Sequence, residues 1–141
     1  MILGMGIDVC SIARVEAILA RWGERFWERI LRDDERAALA QRTDRATVLA
    51  GRFAVKEALA KAMEGGVGVG WHDLEVRGVP KRPPKLVLHG PARALAERVG
   101  VKRVHVSITH DAGVAAAVVI LEGEPTGEPW RDPGEHAASE S

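Results

Sequence analysis

The sequence predicts an α+β fold in which a small antiparallel sheet packs against a long central helix. The order of elements is the first reason: a strand, several helices, then mostly strands with one helix, without the regular alternation of parallel α/β folds. A long helical pattern in the middle of the chain is the second reason. The third is a closing pair of segments typical of an antiparallel hairpin. The 141 residues suit one domain.

The N-terminal part is predicted to form a strand followed by short helices. Residues 2–9 are mostly apolar, which favours a strand. Ser11 can cap the next helix. Apolar residues recur there at helical spacing, at Ile12, Val15, Leu19 and Trp22. Gly23 is expected to break or bend the chain, and Asp33 or Asp34 can cap a further short helix.

The central helix is predicted to begin near Asp44 and to end near Met63, because Gly65 is a good stop signal. Short strands are expected around residues 74–76 and 86–88. A helix that starts at Pro91 should follow them.

The last part of the body is predicted to be a hairpin. Residues 104–109 alternate between apolar and polar side chains, residues 110–113 suit a turn, and residues 114–121 read as the partner strand.

Charge is unevenly distributed, although the formal net charge is zero. Residues 122–141 hold six acids and one base, which leaves 19 bases against 14 acids in residues 1–121. A basic body favours anionic partners, although an ordinary solvated surface can show the same excess. Proline, glycine, acids and serine dominate the tail, so we predict a domain over residues 1–121 and a disordered tail over residues 122–141.

Composition also predicts where the protein works. A single cysteine, Cys10, permits no internal disulfide, which favours the reducing cytoplasm. The first residues resemble a strand and not a signal peptide, and no apolar run has the roughly 20 residues that span a bilayer. Scattered histidines do not suit zinc. Sparse aromatic residues argue against nucleic-acid binding.

Two acidic positions are candidates for chemistry. Asp8 lies near the end of the first strand, where a buried carboxylate needs a cation, a metal or hydrogen-bond donors; a capping role beside Ser11 is the alternative. Glu57 and Lys61 are four residues apart on one helix face. They can be a metal ligand and a phosphate contact, or an ordinary surface ion pair.

A third pattern places Ser107 and His110 near the end of a strand. The histidine can be functional or simply exposed, and no nucleophile-elbow pattern surrounds the serine. Glycines at 65, 66, 68 and 70 permit close approach to a phosphate, but ordinary turn geometry explains them equally well.

Taken together, these segments resemble the short bacterial branch of the 4′-phosphopantetheinyl transferase superfamily, the holo-acyl-carrier-protein synthases. Three motifs in the expected order carry the resemblance across nearly all of residues 1–121. They are Gly6-Ile7-Asp8-Val9 with Ile12-Ala13-Arg14-Val15-Glu16, the helix Arg52-Phe53-Ala54-Val55-Lys56-Glu57-Ala58 with Lys61-Ala62, and Val106-Ser107-Ile108-Thr109-His110 with Ala115-Ala116-Ala117-Val118. Thr109 stands where serine is common, and the tail has no counterpart.

The resemblance implies an enzyme of lipid metabolism that moves 4′-phosphopantetheine from coenzyme A to a serine of an acyl carrier protein, of fatty-acid or polyketide type. It implies Asp8 and Glu57 as Mg²⁺ ligands, which suits a cation that prefers oxygen ligands. The other implied catalytic residues are Lys61 and His110. The implied coenzyme A contacts are Arg52, Lys61, Gly66, Ser107 and His110.

The resemblance further implies that the acidic carrier binds a basic surface formed by Arg14, Arg21 and Arg25. It implies a homotrimer with active sites between subunits. Two other functions remain open from the residues alone: a non-catalytic module that binds anions or acidic proteins, and a Mg²⁺-dependent phosphohydrolase.

Overall fold

The computed structural model describes residues 1–65 and 69–131. The elements in chain order are β1 (Ile2–Ser11), α1 (Ile12–Trp22), α2 (Glu24–Ile30), α3 (Asp33–Ala40), α4 (Arg45–Ala62), a 3₁₀ turn (Trp71–Asp73), β2 (Leu74–Val79), β3 (Arg82–Leu88), α5 (Gly90–Val99), β4 (Val101–Asp111) and β5 (Val114–Gly123). They confirm the predicted α+β fold with small antiparallel sheets. Helix α2 was not predicted.

The main sheet has three antiparallel strands in the order β1-β5-β4, and β2 and β3 form a separate hairpin. The inner face of the three-stranded main sheet packs on α4. The residues that alternate toward α4 from β5 are fully buried, among them Ala117 and Val119. The apolar side of α4, the alternating residues 104–109 of β4 and the inward residues of β5 therefore build one core.

Two glycines of β1 set how closely the strand approaches α4. A side chain on Gly6 would collide with the carbonyl oxygen of Ala58, and one on Gly4 with that of Ala62. Only glycine permits this close approach of two backbones. The contact fixes the inner face of β1, which also carries Asp8, against α4.

The predicted hairpin of β4 and β5 is confirmed, but its turn is shorter than expected. His110 pairs with Ala115 and Asp111 with Val114, so β4 continues through two residues assigned to the turn. Ala112 and Gly113 alone form the connection, and both have positive φ. Such a two-residue turn matches the right-handed twist of the strands.

The tail boundary also differs from the prediction. Strand β5 ends at Gly123, and the segment 124–131 then packs across the body. Trp130 is 6% exposed and belongs to the core, and its indole Nε1 donates to the carbonyl oxygen of Leu3 at 3.1 Å. The composition of this segment predicts disorder, but the burial of Trp130 holds the segment against the body. Residues 132–141 lie outside the described residues.

Within the described ranges, none of the helices combines the length and apolar character that a membrane span requires.

Candidate active site

Asp8 and Lys61 meet where the inner face of β1 crosses the last turns of α4. The Lys61 ammonium donates to Asp8 Oδ1 at 3.2 Å and to the carbonyl oxygen of Ile7 at 2.9 Å. The Asp8 side chain is 18% exposed, whereas that of Lys61 is 55% exposed. The sequence left open a surface pair between Glu57 and Lys61, but the lysine pairs with Asp8.

Glu57 lies one helical turn before Lys61 on the same side of α4, and it is half-buried. It lines a cavity of about 210 Å³ together with Ala60, Gly65 and Trp71. Among the described residues, no side chain forms a hydrogen bond or salt bridge with its carboxylate. A half-buried carboxylate beside a cavity is suited to bind a cation or a proton donor that enters from outside.

Cys10 lies on β1, two residues after Asp8, and is buried. Burial is the main cause that raises the pKa of its thiol, and the negative charge of Asp8 raises it further. Arg14 offsets part of this effect, and Glu57 adds a smaller increase. Asp8 and Cys10 share the inner face of β1, which packs on α4, the helix that carries Glu57.

The available carboxylate ligands fit Mg²⁺ better than a metal that is coordinated by protein side chains alone. Within residues 1–65 and 69–131 there is no cluster of three or more histidine, cysteine or acidic side chains that could hold a metal ion. At the candidate site, Asp8 on β1 and Glu57 on α4 provide two carboxylates. Mg²⁺ is commonly held by one or two carboxylates, with waters and substrate phosphates as its other ligands.

Arg52 lies in a different part of the protein. Arg52 and Lys61 are nine residues apart on α4, which places them on opposite sides of the helix. Arg52 lines a cavity of about 760 Å³ whose other basic residues are Arg42, Arg77 and Lys81. Burial lowers its pKa, and the nearby Glu35 partly offsets this effect.

The structure does not bring Ser107 and His110 together. They lie three residues apart on β4, so their side chains leave opposite faces of the sheet. Ser107 is on the outer face, whereas His110 is on the inner face, two residues beyond Ile108, which faces Gly51 in the N-terminal half of α4. Gly66, the remaining predicted cofactor contact, lies outside the described residues.

The three predicted carrier contacts are exposed on neighbouring helices, Arg14 and Arg21 on α1 and Arg25 on α2. The Arg21 guanidinium stacks 5.1 Å from the centre of the Trp22 ring, which is 53% exposed. A groove of about 360 Å³ beside them is lined by Ile18, Trp22, Arg25, Phe26 and Arg29. The surface is therefore both basic and apolar, and charge alone did not predict its apolar part.

Lys56, next to Glu57 in the sequence, is the residue that sequence reasoning missed. Its side chain is completely buried, and its ammonium donates to Glu35 Oε1 and to the carbonyl oxygen of Ile30, both at 2.7 Å. It also donates to the carbonyl oxygen of Trp71 at 3.2 Å. This network attaches α2, α3 and the 3₁₀ turn to α4 behind the cavity that Glu57 lines.

The comparisons with known proteins define the class first. The sequence matches the family model of the 4′-phosphopantetheinyl transferase superfamily over residues 4–119, and the chain belongs to this superfamily. Among its relatives, the holo-[acyl-carrier-protein] synthase of Anaeromyxobacter sp. (strain K) is 52% identical over 127 residues, which cover 87% of this chain and 98% of the relative.

Comparison with solved structures points to the same class of protein. The holo-(acyl-carrier-protein) synthase of Bacillus anthracis, in complex with CoA (3′,5′-ADP), aligns with a TM-score of 0.71 at 35% identity over 88% of this chain and 99% of that one. The Helicobacter pylori holo-[acyl-carrier-protein] synthase in complex with coenzyme A aligns with a TM-score of 0.72 at 33% identity, over 84% and 99% of the two chains. The branch that the sequence resembles is thereby confirmed.

Proposed function

We propose that this protein is a holo-acyl-carrier-protein synthase that transfers 4′-phosphopantetheine from coenzyme A to a serine of an apo-acyl carrier protein. The observation that carries the proposal is the contact of Asp8 with Lys61, one helical turn after Glu57 on α4, in a chain about half identical to such synthases. The structures of relatives in complex with coenzyme A support the choice of donor.

The proposed reaction joins the serine oxygen to the phosphorus that bears pantetheine. The bond between that phosphorus and the oxygen of 3′,5′-ADP breaks, the ADP leaves with the electron pair, and the serine loses its proton. Transfers of this kind depend mainly on positioning and on stabilising negative charge. Lys61, held by Asp8 and the Ile7 carbonyl, supplies a positive charge at the edge of the site.

Asp8 and Glu57 would hold Mg²⁺, the cofactor that the donor set fits. When bound, this ion neutralises charge on the diphosphate of coenzyme A. Glu57, which has no protein partner among the described residues, can also accept a proton from the attacking hydroxyl. Arg52 would bind a phosphate of coenzyme A in the larger cavity, which is lined by four basic and three acidic side chains.

The opposite placement of Arg52 and Lys61 supports sites shared between subunits, and the family resemblance points to a homotrimer. One coenzyme A molecule cannot easily contact both sides of α4 in one subunit, whereas two subunits can each contribute one side. The outer face of the main sheet supplies a surface for such an assembly, because its β1 residues are apolar and largely exposed: Met5 (64%), Ile7 (63%) and Val9 (60%). Ser107 lies on this same outer face.

The carrier protein would bind on α1 and α2. An acidic carrier suits Arg14, Arg21 and Arg25, and the groove beside Trp22 and Phe26 can take apolar side chains between the charges. The proposal also places the enzyme in the cytoplasm, in agreement with a single free thiol at Cys10.

The decisive experiment uses the protein with an apo-acyl carrier protein, coenzyme A and Mg²⁺, and weighs the carrier by mass spectrometry. A mass gain of one phosphopantetheine is expected, and it should be lost in Asp8→Asn and in Glu57→Gln. A reaction without carrier is the control, because release of 3′,5′-ADP there would identify a hydrolase. An unmodified carrier with every apo carrier tried would contradict the proposal.

Arg14→Glu tests the carrier surface. The variant should raise the KM for the carrier and leave coenzyme A binding unchanged, because opposite charges across an interface mainly guide association. Steady-state kinetics with each substrate varied in turn measures both. Equal KM values for the carrier in variant and parent would exclude this surface.

A further inference from the structure

The segment 124–131, here called the C-terminal strap, lies beyond the family match at residues 4–119 and crosses the body to the end of α4. It begins beside Gly100, whose carbonyl oxygen accepts from the Glu124 amide at 3.1 Å. The Thr126 hydroxyl then donates to the carbonyl oxygen of Arg98 at 2.6 Å, and the Arg98 guanidinium donates to the Pro129 carbonyl at 3.4 Å.

The strap is anchored at an irregularity of β1. The register between β1 and β5 shifts between Ile2 and Gly4, so Leu3 has no partner in the ladder. The bulged carbonyl of Leu3 instead accepts from the Trp130 indole at 3.1 Å, and the ring fills the adjacent core. A β-bulge leaves a residue whose backbone groups have no partner in the ladder. Here the Trp130 indole supplies the hydrogen bond to the carbonyl oxygen of that residue, Leu3.

The anchor places Arg131 at Gly65, immediately after α4. The space where a side chain of Gly65 would stand is occupied by the guanidinium of Arg131. Gly65 has a φ of +74°, and its amide donates to the Ala60 carbonyl at 2.6 Å. Gly65 therefore belongs to the turn that ends α4. Gly65 also lines the cavity of about 210 Å³ that Glu57 lines.

Arg131 has no acidic partner within residues 1–65 and 69–131. Its Nε is buried without a hydrogen-bond acceptor there. Burying a guanidinium donor unpaired costs free energy, and an arginine fork is well suited to a phosphate. A cation near the last carbonyls of α4 would by itself stabilise the helix, so capping is the competing explanation.

We propose that Arg131 is a further phosphate-binding residue, carried to the Gly65 edge of the active site by the C-terminal strap. This inference rests on the proposed function, because its ligand is the phosphate portion of coenzyme A bound beside Glu57. Lys61 and Arg131 then provide two positive charges near the C-terminal end of α4, and Trp130 positions the second of them.

The test measures coenzyme A binding by calorimetry and transfer by steady-state kinetics in the full chain. Arg131→Ala should raise the Kd and the KM for coenzyme A by about tenfold to a hundredfold, the effect of one charge-assisted hydrogen bond, with little change in kcat or Tm. Arg131→Lys should restore part of the loss. Arg98→Ala is the matched control, because it removes another arginine that contacts the strap without changing the charge at Gly65.

A lower Tm for Arg131→Ala with an unchanged Kd for coenzyme A would overturn the proposal and assign the residue to helix capping. Unchanged Kd and Tm would overturn it as well. The parent protein separates this result from the proposed function: if the parent binds coenzyme A and modifies a carrier, only the role of Arg131 fails. If the parent does neither, the proposed function itself fails.

Discussion

At the scale of single residues, Lys56 shows what the sequence alone does not reveal. Lysines in an amphipathic helix usually face solvent, and Lys56 stands next to the charged Glu57 in the sequence. Its partner Glu35 is 21 residues away, and only the tertiary structure brings them together at 2.7 Å. Burial lowers the pKa of Lys56, while Glu35 opposes this effect by hydrogen bonding and charge. The pair is therefore a structural support behind the site.

Lys56→Met should destabilise the protein by about 3–5 kcal/mol, because it leaves the Glu35 carboxylate buried without its charge partner. Glu35 also accepts from the amides of Arg32 and Val76, so it remains held inside. Urea unfolding measures the free energy of unfolding. The double variant Lys56→Met/Glu35→Gln should recover part of the loss. A cost below about 1 kcal/mol for Lys56→Met would place the pair among ordinary surface pairs.

Glu75 gives a pH dependence with a defined sign. Hydrogen bonds from Arg77 are the main cause that holds the pKa of its carboxyl below the usual 4.5, and His89 at 2.7 Å adds to the effect while burial opposes it. A carboxyl whose pKa is lower in the folded state stabilises the protein above its unfolded pKa. That contribution is lost as the pH falls through the folded pKa.

Glu75→Gln should therefore lower the free energy of unfolding near neutral pH and matter less in acid. Urea unfolding of parent and variant, from neutral pH down to about pH 3, should show the difference between them shrinking below 4.5, where the parent loses the charge as well. A difference that stays constant over this range would mean that the charge of Glu75 is not the stabilising feature.

At the scale of elements, periodicity predicted the parts whose local pattern agrees with their tertiary contacts. The helix before Gly65 and the hairpin of β4 and β5 are of this kind. The C-terminal strap was missed because proline, glycine and acids dominate it, while its position depends on one side chain, Trp130. Asp8 and Lys61 were recognised as candidates, but their direct contact depends on how β1 crosses α4, which local pattern does not contain.

Gly6→Ala tests that crossing. The added methyl group would meet the Ala58 carbonyl oxygen, a backbone atom that cannot rotate away, so β1 must move off α4. We expect a loss of at least about 2 kcal/mol in the free energy of unfolding, typical of overpacking, and a marked loss of transfer because Asp8 moves with the strand. Gly70→Ala is the matched control, since its nearest neighbour is at 3.8 Å. Equal stability of the two variants would contradict the tight crossing.

At the scale of the whole molecule, the candidate residues fall into two groups that one subunit keeps apart. Asp8, Glu57 and Lys61 lie at the C-terminal half of α4, and Arg52 and His110 lie toward its N-terminal half, on other sides. The nine-residue spacing of Arg52 and Lys61 on one helix predicts their separation, whereas the position of His110 depends on how β4 packs on α4, which local pattern does not contain. A second copy of the chain that contributes the other group is the simplest way to complete one site, and the outer sheet face is the surface available for it.

Ile7→Lys tests this assembly. Ile7 is 63% exposed and pairs with Val118, which in turn pairs with Ser107, so a charge at this position lies in the middle of the outer sheet face. Burying an unpaired ammonium between subunits is unfavourable, and the variant should sediment as a monomer in analytical ultracentrifugation while the parent sediments as a trimer. Val79→Lys is the control for the oligomeric state alone, because Val79 is also an exposed apolar strand residue but belongs to the separate hairpin and lines the Arg52 cavity. If subunits share sites, Ile7→Lys loses transfer activity together with its oligomeric state, although the inner-face residues Asp8, Glu57 and Lys61 are unchanged. A monomeric parent with full activity would show that one chain forms the complete site.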